Sequence, residues 1–157
     1  ENAPKSNSAS KPWLTVPVPQ MTLDSGNDIC LKKDGALCVF LVAKDGATLD
    51  KSLLHTLSAV GQGFDSKIAR GISFFFSWVD ASTEPEFASI FTEGQEVDPV
   101  LIVLNPGKRK RFLVHEGPIT EDGIAATLDK ILGGDARFKN IKGNLLPELV
   151  SEYQTDN

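Results

Sequence analysis

The feature that most restricts the fold of this chain is a set of three dense apolar runs: residues 37–43 (LCVFLVA), 72–79 (ISFFFSWV) and 99–104 (PVLIVL). Each is short for a buried helix and lacks the polar alternation of a half-exposed strand. Each therefore suits a strand covered on both faces. Asp34-Gly35 and Asp45-Gly46 bound the first run, and Asn105-Pro106-Gly107 closes the third, so turn chemistry agrees with the assignment.

A sheet buried on both faces needs helices between its strands, and the intervening segments supply them. From about Asp50 onward, Leu53, Leu54, Leu57, Val60, Phe64 and Ile68 recur close to a 3.6-residue period. Gly61 and Gly63 weaken the second half of that helix and predict a kink or an early end. Thr83 and Glu86 have the spacing of a capping box, with Pro85 in the first turn of a short helix carrying Phe87, Ile90 and Phe91. Thr120 caps a last helix whose apolar face is Ile124, Leu128, Ile131 and Leu132 and which Gly133-Gly134 ends. Ahead of the first run, 21–23 reads as a short strand, and 27–33 as a helix capped by Asp24 or Ser25. The 105–107 turn folds the third run onto 111–114 as an antiparallel hairpin. The predicted order is β-α-β-α-β-α-β-β-α: crossover helices make the early strands parallel, and the hairpin adds antiparallel ones. This is an α/β chain with a mixed central sheet and helices on both faces.

The 157 residues suit one domain. Residues 1–19 are polar and proline-rich and read as a linker, mostly disordered. Within it Trp13, Leu14, Val16 and Val18 are spaced to run along a sheet edge, where Pro17 and Pro19 are tolerated. The domain proper is expected over 20–134. A tail follows over 135–157, in which Leu145, Leu146, Leu149 and Val150 predict a short packed helix. The chain starts at Glu1 with neither an initiator Met nor a signal peptide, which reads as a processed chain or a fragment. With 16 basic and 21 acidic side chains, net −5, an unaided nucleic-acid binder is not expected. No apolar run approaches the roughly 20 residues of a membrane-spanning helix, so a membrane is not an expected partner either.

Cys30 and Cys38 are the two cysteines and have three readings: a structural disulfide, two buried thiols, or a redox-active pair. A helix end and the start of the next strand, joined through 32–35, allow the roughly 4.4–6.8 Å Cα separation of a disulfide. Cys30 falls near the C-terminal end of its predicted helix, where the dipole disfavours a thiolate, and this argues against catalysis. With His55 and His115 the cysteines number four potential zinc ligands, but the spacing of a zinc finger is absent and no metal or cofactor is expected. Gly61-Gln62-Gly63 follows helix rather than strand and is not a phosphate cradle. The basic run 108–111 (KRKR) reads as a solvated hairpin tip that discourages edge pairing. Among the clustered aromatics, which are expected mostly in the core, Phe76, Trp78 and Phe91 are candidates to border an apolar groove for unfolded peptide.

The order of elements is similar to that of the thioredoxin fold, and short segments resemble the protein disulfide isomerase family. Asp98-Pro99 stands before the penultimate strand, where such domains place a cis-proline. The segment 76–82 (FSWVDAS) and the string 98–120 (DPVLIVLNPGKRKRFLVHEGPIT) resemble the end of their central strand and their closing hairpin. Cys-x-x-Cys is absent. Over about 20–150 the chain most resembles the non-catalytic C-terminal domain of isomerases that carry two catalytic domains and then an inactive one. That domain likewise has a Cys near the end of its first helix and another at the start of the following strand.

The resemblance implies a thioredoxin-like domain with no catalytic residue of its own, in a parent protein that forms and rearranges disulfides in the endoplasmic reticulum lumen or the wider secretory pathway. It implies unfolded or partly folded secretory polypeptides as partners, together with catalytic thioredoxin domains of the same parent chain. It also adds Val97 and Pro99 to the candidate peptide-binding residues, since the cis-proline loop of redox-active relatives touches substrate. Two other readings stay open: a stand-alone redox protein using Cys30 and Cys38 as a non-standard dithiol, and a purely structural docking module.

Overall fold

A computed structural model describes residues 11–33, 35–64, 71–93 and 99–153. Its centre is strand β1 (Ala36–Ala43), in which every residue is buried. Helix α1 (Lys51–Phe64) leads to β2 (Ser73–Asp80), and α2 (Pro85–Thr92) follows. Then come β3 (Val100–Asn105), β4 (Arg111–Val114), α3 (Glu121–Leu132) and a two-residue β5 (Lys139–Asn140) that the sequence did not signal. The five-stranded sheet has the order β2-β1-β3-β4-β5. Strands β1 and β2 are parallel, while β1–β3, β3–β4 and β4–β5 are antiparallel. The fold is a mixed α/β sheet with helices on both faces, of the thioredoxin-like kind.

The period-two alternation of β1 sorts its side chains into two cores. Cys38, Phe40 and Val42 face one layer, with Phe87 and Phe91 of α2, Trp13, Met21, Ile29 and Leu149. Leu37, Val39 and Leu41 face the other, with Leu57, Val60 and Phe64 of α1 and Ile124, Leu128 and Ile131 of α3. Phe40 packs against Phe87 and Phe91 at centroid distances of 5.8 and 5.2 Å, and Phe91 meets Phe112 at 5.2 Å. Each such fully buried side chain contributes about 1.5–3 kcal/mol relative to exposure. Helix α1 continues through Gly61 and Gly63 to Phe64, where the described residues stop; a Cβ at Gly61 would lie 3.2 Å from the Phe76 ring, so close helix–sheet packing accounts for this glycine. Ile68, expected on the same helix face, lies outside the described residues.

The ends of the chain depart from the sequence expectations. In place of a strand over 21–23 there is a single parallel bridge, Gln20 to Trp78, and Met21 is completely buried. The Ser25 hydroxyl donates to the Gln20 carbonyl and accepts the Thr22 amide, so it shapes a turn rather than capping a helix. A π-helical turn, Asn27–Leu31, replaces the helix expected over 27–33, and its N-cap is Gly26. Trp13 leaves the sheet edge for a 3-10 turn (Pro12–Thr15), where it is buried, stacks edge-on to Tyr153 and donates to the Asp28 carboxylate at 3.1 Å.

The expected capping box is absent, because the Thr83 hydroxyl donates to the Asp80 carbonyl and Glu84 occupies the N-cap position of α2. Glu84, 1% exposed, turns to the C-terminal tail. Its carboxylate accepts the Val150 amide at 2.9 Å, the Ser151 amide at 2.9 Å and the Ser151 hydroxyl at 2.5 Å. Those bonds need an extended chain, so the tail forms no helix over 145–150. Leu149 is buried, while Leu145 and Val150 are exposed. Leu23 and Asp24 extend the same contact, through Leu23 N to Ser151 O and Tyr153 N to Asp24 Oδ1.

Glu84→Gln keeps the size of the side chain but replaces one acceptor oxygen with a donor facing donors. It is expected to cost about 1–3 kcal/mol and to speed amide exchange at Val150 and Ser151 ahead of the sheet. Urea unfolding with residue-resolved hydrogen exchange measures both effects, and unchanged exchange at the tail would count against the clamp.

Candidate functional site

The sulfur chemistry of the chain is confined to one place. Cys30, in the last part of the π-helical turn, and Cys38, the third residue of β1, form a disulfide with a Cα separation of 5.7 Å. Both are 0% exposed. Since the chain has two cysteines, the bond leaves no free thiol. The Cys30 carbonyl accepts the Lys33 amide, so this residue lies at the C-terminal end of its turn. The exposed backbone charge at that end is partly negative and opposes a thiolate. The opposite setting, the N-terminus of α1, carries Asp50, whose carboxylate accepts from the Ser52 hydroxyl at 2.7 Å and amide at 3.0 Å. Those bonds, the hydroxyl foremost, hold Asp50 below the usual carboxylate range. Asp45 is lowered in the same way, first by the Thr48 amide and then by the Thr48 hydroxyl.

The aromatic candidates do not share one surface. Phe76 and Trp78 belong to the layer under α1 and α3, whereas Phe91 is 3% exposed inside the layer under α2. The sheet separates them, so Phe91 is a core residue and borders no groove with the other two. Pro99 is partly exposed and lines a pocket of about 290 Å³ with Leu49 and Leu53. Val97 and the Asp98–Pro99 peptide bond lie outside the described residues.

Phe76 does line a groove, with different partners. A cavity of about 390 Å³ follows the outer edge of β2 at Phe74, Phe75 and Phe76. Gly61 and Gln62 of α1 form one wall, Ile29 and Lys33 the other, and the segment from Trp13 to Pro19 lies across it. The Lys33 ammonium stands 4.5 Å from the Phe75 ring centroid, a cation–π contact.

Several polar residues whose roles were not read from the sequence have structural partners. Asp80, 8% exposed, accepts the Gly46 amide through Oδ2 and the Ser82 amide and hydroxyl through Oδ1, tying the loop after β1 to the end of β2. His115 donates from Nε2 to the Pro118 carbonyl at 2.9 Å, and its Nδ1 is bonded to the Thr127 hydroxyl at 2.7 Å. His55 is exposed on α1. In the basic run Lys108 and Arg109 are exposed, and Asn144 bonds the backbone of Lys108 and Lys110. Among the described residues no cluster of three or more His, Cys, Asp or Glu forms a metal-binding group. No described helix is long and apolar enough to cross a membrane.

The fold and site together define a thioredoxin-like α/β domain whose cysteines are bonded inside the core. The chain matches no protein-family model and no curated protein.

Replacing both cysteines, Cys30→Ala with Cys38→Ala, opens a short loop and is expected to cost about 2–3 kcal/mol by the loop-entropy relation. The fall appears as a lower urea midpoint for the double variant, and an unchanged midpoint would mean that the bond constrains nothing.

Proposed function

We propose that this chain is a redox-inactive, thioredoxin-like domain of a protein disulfide isomerase of the secretory pathway. Its contribution is to bind unfolded or partly folded polypeptides, while catalytic domains of the same parent chain exchange the disulfides. The observation that carries this reading is the state of the sulfurs: both are bonded, 0% exposed, and set at the end of a helical turn that opposes a thiolate. Thiol–disulfide exchange needs a thiolate with access to its target, and such a site is closed to attack from solvent. The resemblance of 76–82 and 98–120 to the isomerase family supports the assignment to that family. A bonded pair of this kind also fits an oxidising compartment, where disulfides persist. Binding is favoured over a purely passive role by the groove along β2, where the aromatic floor at Phe74 to Phe76 meets walls that mix apolar side chains with Asp28, Lys33, Ser58 and Gln62.

Two assays on the same preparation test the reading. In insulin reduction by dithiothreitol, the chain is expected to leave the rate at the uncatalysed level. In titration with reduced, carboxymethylated α-lactalbumin, a permanently unfolded polypeptide, it is expected to bind saturably. Acceleration of insulin reduction would return the function to Cys30 and Cys38, and absence of binding would remove the client role.

A further inference from the structure

Strand β2 is an edge strand of the sheet, and its outward hydrogen-bonding groups can be assigned from the bonds the strand already makes. Ser73 N donates to Gly35 O and Ala81 N donates to Ala43 O, so odd-numbered residues point their backbone groups inward, to β1. The Trp78 amide donates to the Pro19 carbonyl at 3.1 Å and the Trp78 carbonyl accepts the Met21 amide at 2.8 Å, so even-numbered residues point outward. The outward set next in line is Phe76 and then Phe74, and among the described residues neither has an outward backbone partner in the Trp13–Pro19 segment or elsewhere.

The reason is written in the sequence. In the register of the Gln20–Trp78 bridge, the next donor to β2 would be the nitrogen of residue 19, to the Phe76 carbonyl. The one after would be the nitrogen of residue 17, to the Phe74 carbonyl. Both are prolines and have no N–H. The incoming strand therefore stops after one rung, and the chain turns aside into the 3-10 turn Pro12–Thr15. The 390 Å³ groove is the space this strand leaves.

We infer that the open β2 edge at Phe74 and Phe76 receives an extended, proline-free, uncharged apolar segment of an unfolded polypeptide as an added strand, continuing the rung begun by Gln20. This rests on the client-binding reading above and names its site. The backbone of the guest supplies the donors that Pro17 and Pro19 lack, and it accepts from the Phe74 and Phe76 amides. At about 3.3 Å per residue the vacant rungs take three or four guest residues. Guest side chains alternate between the Gly61 wall and the Ile29 wall. The exposed Leu14 and Val16, 62% and 40% accessible, are placed to cover the guest from outside. Charge agrees with an uncharged guest: Asp28 is already engaged by Trp13 and Lys11, and Lys33 by the Phe75 ring. A second copy fits less well. The edge lies between two walls that a lone strand can enter but a partner sheet bearing the same walls cannot, and two chains of net charge −5 repel.

The test is an NMR titration of the whole chain with a capped ten-residue peptide whose eight central residues alternate Val and Ala, with a Lys at each end, outside the binding segment, for solubility. A second peptide, N-methylated at alternate central residues, has lost the donors of one edge. The expected result is saturable binding with the largest amide shifts at Phe74 and Phe76, and at least tenfold weaker binding of the N-methylated peptide. Pro17→Val with Pro19→Val restores both donors, so the chain completes its own strand; this variant is expected to bind at least tenfold more weakly while its melting temperature stays level or rises. Equal affinity for both peptides, or shifts centred away from β2, would overturn the edge site and leave the client-binding reading in place. Binding of carboxymethylated α-lactalbumin without any shift at Phe74 or Phe76 would do the same, whereas failure of every ligand to bind would overturn the client-binding reading itself. Concentration-dependent shifts at this edge without peptide, accompanied by dimer mass in light scattering, would make a second copy the occupant and overturn the proposal.

Discussion

Strand β1 is the constraint on which the rest of this structure depends. It is hydrogen-bonded on both edges, parallel to β2 and antiparallel to β3, and covered on both faces. A segment in that position must be apolar at every residue, because no side chain reaches water. Its two faces set the two cores, and each helix is placed by the face it covers. The disulfide acts at the same strand: by joining Cys38 to the preceding turn, it brings Cys30 and Ile29 into the layer beneath α2. The sulfurs are thereby part of the packing of the central strand, which is also why they are inaccessible.

The second organising contact closes the chain on itself. Glu84 is a buried carboxylate satisfied by tail donors, and a group of that kind is costly to bury unless it is fully hydrogen-bonded. Asp24 and Trp13 add bonds and ring contacts to the same tail. Trp13, Leu149 and Tyr153 are therefore held on the layer that α2 covers, opposite α1 and α3. The outer edge of β2 lies beside this assembly, and the N-terminal segment stands across it without pairing beyond Trp78.

The parts of the fold legible in the sequence were those governed by local pattern. The runs that became β1, β2 and β3, the periodic face of α1, and the Thr120 cap, which accepts the Gly123 amide, all follow from short-range periodicity and capping chemistry. What could not be read depended on partners far away in the chain. The Thr83/Glu86 spacing has the form of a capping box, yet the residue that matters is Glu84, and its ligands lie more than sixty positions later. The apolar residues at 145–150 suggested a helix, but the donors required by Glu84 hold them extended. Phe91 looked like a groove residue because a sequence does not reveal on which side of a sheet a helix packs. Pro17 and Pro19 are tolerable in an edge strand. Their consequence, an unfinished ladder, emerges only once the register to Trp78 is known.

The thioredoxin-like sheet has its sulfurs withdrawn into the core and one edge left incomplete by two prolines. The most direct test is native-state amide hydrogen exchange along β2. Phe75 and Ser77 donate inward and are expected to be protected like the core, whereas Phe74 and Phe76 face an edge that no described residue pairs. The account predicts exchange at Phe74 and Phe76 on the order of a thousandfold faster than at Phe75 and Ser77. Equal, core-like protection at all four positions would contradict it, because it would mean that the edge is already paired.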